Sequence, residues 1–457
     1  MKDRILYHST NRHLNTDKIT GFRKKVTFKQ ALFMGQAPDK GLFMPTRIPR
    51  LSKKDILELK EKPYHEVAYE ILRRFLSHDI KDKELKAITK DAYNFDIPIE
   101  KLDQYTYIVR LDKGPTASFK DFAARLMARL MHKIKPKDKN ITVLVATSGD
   151  TGSAMGEAYR GLNGIDVHIL YPQSEVSPIQ KKLLDSIGKN VRTIAIDGTF
   201  DDCQKLVKEA FSDSSLKRLN LTSANSINIG RILPQTVYYF YFYVNIVDEI
   251  QPALLSIPSG NFGSSLGCEI ARRMGLPVKR IILATNENDE FSKLLKSGIY
   301  RKVEPSRKCL SNSMNVGNPS NLARYFDLYN GILDKDGIVH KKPNLKEMRK
   351  HLYSTAISDE DTVKTINRIY KKHKIIVEPH GAVGIAALIK YFKENKKRLS
   401  ICIETVHPAK FPEIIKQELN ISPEIPESLM KIIKRKGKPG YLPNDYGIFK
   451  EYLLKKG

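Results

Sequence analysis

The chain has 457 residues, 41% apolar and 28% charged, with a formal net charge of +27. That length exceeds one ordinary core and predicts two or three domains, and the apolar share excludes a disordered chain. The basic charge alone would admit a nucleic-acid partner, but lysine and arginine are spread along the whole length, and no zinc-finger, basic-zipper or RNP-like pattern accompanies them.

Residues 1–95 read as helix-rich, with helical periodicity over Ser52 to Phe75 and a connector at Tyr93 to Pro98. The segment Gly114 to Phe122 then opens a helical run that continues through Met131. Phe119, Phe122, Ala123, Leu126 and Leu130 form its apolar row, and Asp121, Arg125 and Arg129 a polar row. Lys120 shares a strip with Ala124, Met127 and Met131, so the helix is predicted to be buried around most of its circumference. A lysine in the first turn of such a helix meets both burial and an unfavourable helix dipole. Both favour the neutral amine that Schiff-base chemistry needs. A lysine that snorkels to water along its methylene stem is the competing reading.

From about residue 105, short apolar runs alternate with helical segments: Ile141 to Ala146, Val167 to Tyr171, Val191 to Ile196, Leu254 to Ile257, Arg280 to Thr285 and Leu399 to Ile403. This texture predicts parallel sheets covered on both faces, with ligands at the carboxyl ends of the strands. Three loops follow such strands. The first, Ala146 to Ser153, places small and hydroxylated residues before a helix start, which suits a carboxylate or phosphate. It is neither a Walker loop nor a dinucleotide fingerprint. The second, Pro258 to Ser265, carries Gly260 and Gly263, which allow an anion close to the backbone. The third, Glu404 to Phe411, sets the Thr405 hydroxyl at a strand end, where a turn bond is the plainer role. Between them, Asn225 to Arg231 reads as either an oxyanion clamp or a solvated helix start. His380 and His407 lack metal-ligand partners at suitable spacing and read as structural.

The cysteines Cys203, Cys268, Cys309 and Cys402 form no C-x-x-C pair, which points to reduced cytosol and to no zinc site. The N-terminus lacks an apolar signal region, and no stretch could span a bilayer. A soluble cytoplasmic protein with no membrane partner is expected.

The ordered set of Tyr7 to Thr10, Gly41 to Pro45, Gly114 to Phe122, Ala146 to Gly152, Asn225 to Arg231, Pro258 to Gly263, Glu378 to Ala382 and His407 to Phe411 resembles the threonine synthase family. These are pyridoxal-phosphate enzymes of fold type II. The resemblance implies an α/β, tryptophan synthase β-like fold: two parallel-sheet domains plus a helix-rich N-terminal domain. The boundaries it implies are 1–95 for the N-terminal domain and 96–457 for the catalytic core, with a smaller subdomain at about 140–225. Lys120 would form the Schiff base with pyridoxal 5'-phosphate. Gly260, Asn261, Phe262 and Gly263 would hold the cofactor phosphate, Thr405 would meet the pyridine nitrogen, and Asp150 would lie near the ring. Ser148, Gly149 and Thr151 would bind the substrate carboxylate, and Asn225, Ser226 and Arg231 the substrate phosphate. Asp150 follows the bacterial and fungal branch, so no S-adenosylmethionine control is expected. The implied reaction converts O-phospho-L-homoserine and water to L-threonine and phosphate, in a monomer or homodimer with no nucleic-acid partner. A phospho-lyase giving 2-oxobutyrate, a plain dehydratase and a basic binding protein on a degenerate fold are the alternatives. The Asn225 to Arg231 cluster argues against the dehydratase, which has no phosphate to grip.

Overall fold

The computed structural model describes residues 4–136 and 139–456. Two sheets organise the chain. The larger runs in the order Leu352–Ala356, Val278–Thr285, Ala253–Pro258, Ser400–Glu404, Thr106–Arg110, Ile99–Lys101. Its pairs are parallel except the last. The smaller sheet is parallel throughout, in the order Gly440–Pro443, Val191–Asp197, Ile165–Pro172, Ile141–Ala146, Leu221–Ser223. All six apolar runs form strands, with ends within two residues of those read from sequence. Their composition follows from burial on both faces: every residue of Ile141–Ala146 and of Ser400–Glu404 is buried. One strand of the smaller sheet comes from far outside the 140–225 span. Gly440–Pro443 completes its edge, and the following helix Tyr446–Lys456 buries Phe449 and Leu453 against it.

The N-terminal region pairs Tyr7–Ser9 with Phe43–Pro45 and adds the helices Phe28–Met34, Lys53–Leu57, Tyr64–Leu76 and Asp82–Ala92. The single periodic stretch from Ser52 to Phe75 is thus two helices. Pro63 separates them, because it lacks an N–H and biases Lys62 away from helical backbone.

The helix Lys120–Ile134 lies at the junction of these parts. The Phe122 ring meets Tyr64 at 5.3 Å and Tyr238 at 5.5 Å, and the Tyr93 hydroxyl donates to the Phe122 carbonyl at 3.0 Å. Arg125 and Arg129 form a polar row against Asn94 and Asp91. Asp121 departs from that row. It is 1% exposed, and its carboxylate accepts the Thr116 N–H at 2.8 Å and hydroxyl at 2.7 Å. It closes the turn that presents Lys120.

Candidate active site

Lys120 and Thr405 are brought together by the backbone. Phe119 N–H donates to the Thr405 carbonyl at 2.8 Å, His407 N–H donates to the Ala117 carbonyl at 3.1 Å, and Ser118 bridges Val406. Ala117 takes φ 50° to make this turn, a left-handed conformation that costs a residue with a Cβ about 1 kcal/mol.

The Lys120 side chain is only 11% exposed, and Nζ sits 3.7 Å from Asp150 Oδ2. Burial pushes the amine down from its ordinary range. Asp150 opposes this, while Lys410 and Arg231 reinforce it. The snorkelling reading therefore fails at this lysine, since its amine points inward to a carboxylate. Asp150 itself is fully buried. Lys410 Nζ donates to its Oδ1 at 2.9 Å, Gln180 Nε2 donates to the same oxygen at 3.2 Å, and Ser313 Oγ reaches Oδ2 at 3.5 Å. Burial alone would raise the Asp150 carboxyl, but Lys410 and Lys120 outweigh it and hold the group well below the usual carboxylate range.

Ser148, Gly149 and Thr151 stand at the start of the helix Asp150–Tyr159. Thr147 shapes this loop by accepting the N–H groups of Gly149 at 3.0 Å and Gly152 at 2.9 Å. Gly149 has φ 130°, and a Cβ there would lie 2.6 Å from the Gln180 carboxamide, so glycine is required twice over.

The segment Gly260, Asn261, Phe262 and Gly263 leads into the twelve-residue helix Gly263–Met274 with Phe262 left-handed at φ 57°. A Cβ on Gly260 would lie 2.8 Å from the Ser313 carbonyl. The Asn261 carboxamide oxygen accepts from Ser320 N–H at 3.4 Å. Asn321 Nδ2 is buried and, among the described residues, unpartnered. It lies 3.8 Å, and Gln235 Nε2 3.6 Å, from the place a Cβ on Gly263 would take. A helix start ringed by donors with one orphaned amide is a cradle for a phosphate. Together with the buried amine of Lys120 it fits pyridoxal phosphate.

The proposed clamp divides on inspection. Arg231 is 4% exposed; its Nη1 donates to the Ala224 carbonyl at 2.7 Å, and among the described residues its Nε has no partner. Burial pulls it down to about 10, opposed by Tyr159 and Tyr238 and, among the described residues, by no carboxylate. Asn225 is different. Its Nδ2 donates to the Ala146 carbonyl at 2.8 Å and its Oδ1 accepts the Ala146 N–H at 3.3 Å. Its carboxamide is engaged with the strand end and braces the loop through one Nδ2 hydrogen and Oδ1, which leaves the second Nδ2 hydrogen to donate elsewhere. Ser226 offers its carbonyl to the buried Arg324 at 2.9 Å, and Arg324 also binds the carbonyls of Ile227 at 2.6 Å and Phe43 at 3.1 Å. Asn228 fixes the turn from behind, donating to the carbonyls of Leu32 at 2.8 Å and Ser223 at 2.9 Å. The N-terminal region thus supports the clamp through Leu32 and Phe43.

Lys410, Gln180, Ser313, Glu378 and Arg324 are site residues that sequence reasoning did not single out. Lys410 carried one signal: a lysine among apolar neighbours just past a buried strand. Thr405 Oγ1 donates to Glu378 Oε1 at 3.2 Å. His380 links Glu378 to the backbone of Ser313, whereas His407 caps its own turn by accepting the Ala409 N–H at 3.2 Å.

Comparison with known proteins agrees with this architecture. The family model described as pyridoxal-phosphate dependent enzyme matches residues 94–403, that of the threonine synthase N terminus residues 12–93, and that of the threonine synthase C-terminal region residues 381–453. Threonine synthase of Haemophilus influenzae is 38% identical over 444 residues, 97% of this chain and 100% of the relative. That of Escherichia coli is 36% identical over 94% of this chain and 97% of its own length. The crystal structure of pyridoxal-phosphate-bound threonine synthase from Brucella melitensis superposes with TM-score 0.90 at 32% identity, covering 99% of both chains. The Escherichia coli enzyme superposes with TM-score 0.87 at 33% identity, over 99% of this chain and 100% of the other. The chain belongs to the threonine synthase family of pyridoxal-phosphate-dependent enzymes.

Proposed function

We infer that the chain converts O-phospho-L-homoserine and water to L-threonine and phosphate. The observation that carries this is an inward-facing lysine, Lys120, within reach of the charge of a buried arginine, Arg231, that among the described residues has no carboxylate partner. The first suits a carbonyl cofactor and the second a phosphorylated substrate.

Pyridoxal phosphate, when bound, supplies the electron sink that makes hydrogens on the α- and β-carbons acidic. The N–H groups and amides around Gly260 to Gly263 would hold its phosphate, and the Thr405 hydroxyl would meet its pyridine nitrogen. Ser148, Gly149 and Thr151 bind the substrate carboxylate at a helix start, and Arg231 holds the substrate phosphate. Asn225 and the Ser226 carbonyl keep that pocket in shape. Lys120 Nζ takes the α-proton and then a β-proton, a task its lowered basicity suits. The γ-carbon–oxygen bond breaks, phosphate leaves toward Arg231, and protons return at the γ- and α-carbons. Water adds as hydroxyl at the β-carbon, and its other proton goes to the departed phosphate. Asp150 stays ionised beside Nζ and stabilises the amine whenever it carries a proton.

Among the described residues no helix is long and apolar enough to cross a membrane. The four cysteines are free and buried, which supports a reducing, cytoplasmic setting. The +27 charge is dispersed, which supports a small-molecule role rather than nucleic-acid binding. Our reading takes the enzyme as a monomer or homodimer.

Turnover in ¹⁸O-labelled water tests the reaction. The reading requires one label in the β-hydroxyl of threonine and none in phosphate. Label in phosphate, or 2-oxobutyrate as the product, would contradict it.

A further inference from the structure

Arg324, in the helix Leu322–Leu328, is fully buried and donates four hydrogen bonds. Nε donates to the Phe43 carbonyl at 3.1 Å, and Nη2 to the Ile227 carbonyl at 2.6 Å. Nη1 donates to the Ser226 carbonyl at 2.9 Å and to Asn321 Oδ1 at 2.5 Å. Every one of these acceptors is neutral. Burial pulls the guanidinium down to about 9, opposed by the charge of Asp327, so it stays a cation at neutral pH. Asp327 itself is bonded to Arg12 at 2.5 Å and to His8 at 2.9 Å. A buried cation among neutral acceptors is stabilised by anions that bind close to it.

The acceptors lie on the walls of two pockets. A guanidinium only donates, so the Asn321 oxygen faces Arg324 and Nδ2 faces away from it. Nδ2 is buried, unpartnered among the described residues, and 3.8 Å from the place a Cβ on Gly263 would take. It is thereby aimed into the cradle at Gly260 to Gly263. Ser226 and Ile227 belong to the segment that leads to Arg231. This segment adjoins the same cradle, because Gln235 Nε2 lies 3.6 Å from the Gly263 Cβ position and donates to the Arg231 carbonyl at 2.5 Å.

Resting on the assignment of the Gly260 to Gly263 segment to the cofactor phosphate and of Arg231 to the substrate phosphate, we propose that Arg324 is a positioning residue that ties the two phosphate sites together. It turns the Asn321 amide so that Nδ2 donates to the cofactor phosphate. It also anchors the Ser226 and Ile227 carbonyls, and with them the segment from which Arg231 holds the substrate phosphate. The Phe43 carbonyl fixes the same guanidinium to the N-terminal region. Lysine cannot replace it, because one ammonium does not reach acceptors on three separate segments.

The test titrates pyridoxal phosphate, and separately pyridoxal, onto full-length protein stripped of cofactor, following the visible absorbance of the Lys120-bound form. Pyridoxal lacks the phosphate and reads the rest of the site. Arg324→Lys is expected to weaken pyridoxal phosphate about tenfold, to leave pyridoxal unchanged, and to raise KM for O-phospho-L-homoserine about tenfold. Asn321→Ala is expected to show the same cofactor loss, and adding Arg324→Lys to it is expected to weaken the cofactor no further while still raising KM. A merely structural role weakens both cofactors alike, and that result overturns the proposal, as does a further cofactor loss in the double variant. Wild-type affinity for pyridoxal phosphate in Asn321→Ala overturns it too, and this readout stands even where Arg324→Lys does not fold. Failure of the underlying assignments shows in the wild type itself, as equal affinity for pyridoxal phosphate and pyridoxal or as no turnover of O-phospho-L-homoserine.

Discussion

At the scale of single residues, the site is a contest over buried charge. Lys120 and Lys410 face one carboxylate, Asp150, and the shorter contact belongs to Lys410. Lys410 neutralises the aspartate and leaves Lys120 free to be a neutral amine. Lys410→Met is therefore expected to leave a buried carboxylate without its main partner and to cost about 3–5 kcal/mol of stability, measurable by denaturant unfolding. An unchanged midpoint would remove this role. Arg231→Ala is expected to raise KM for O-phospho-L-homoserine by about 10- to 100-fold, from the loss of one charged hydrogen-bonding partner. A wild-type KM would displace the phosphate from Arg231. Lys120 stood out as a first-turn lysine on a helix buried around most of its circumference, whereas Asp150, and the cofactor role of Thr405, were singled out only by the family resemblance. Lys410, Gln180, Ser313 and Arg324 were not, because their partners lie 260, 30, 163 and 98 residues away along the chain. The carboxamide of Asn225 illustrates the same limit: its sequence context reads as a clamp, and only the fold sets it against Ala146.

At the scale of elements, strands were more legible than helix boundaries. Burial on both faces writes a continuous apolar run, whereas the break at Pro63 interrupts a periodicity that carries on across it. The start of the helix Glu290–Ser297 shows a feature invisible to periodicity. Glu290 is fully buried, neither oxygen has a partner among the described residues, and burial pushes its carboxyl up to about 8. Between the ordinary carboxylate range and pH 8 the folded chain holds a proton there that the unfolded chain releases. Stability from this group is thus present at low pH and falls, by about 1.4 kcal/mol per pH unit, as pH rises through that window. Glu290→Gln is expected to flatten the slope and to be the more stable protein at pH 8. A slope equal to that of the wild type would refute the assignment.

At the scale of the whole molecule, the catalytic parts belong to different layers. The helix carrying Asp150 and the loop of Asn225 flank the smaller sheet, while Thr405, Lys410 and the Gly260 loop follow strands of the larger one. The chain's C-terminal strand then returns to the smaller sheet. Removing residues 437–457 is expected to raise amide exchange in Val191–Asp197 and leave Val278–Thr285 unchanged. Equal exchange in both strands would show that the C-terminal strand adds nothing to that edge. The general architecture of two parallel sheets was legible in the alternation of runs and helices, but this return was not, because Gly440–Pro443 is a short edge strand with half its residues exposed. The most direct test of the account treats the enzyme as one machine. Purified, cofactor-loaded protein is given O-phospho-L-homoserine, and phosphate, threonine and 2-oxobutyrate are quantified together in the wild type and in Lys120→Ala. The account predicts phosphate and threonine in equal amounts from the wild type, and neither turnover nor the cofactor's visible absorbance band from the variant. Phosphate without threonine, or turnover by the variant, would contradict it.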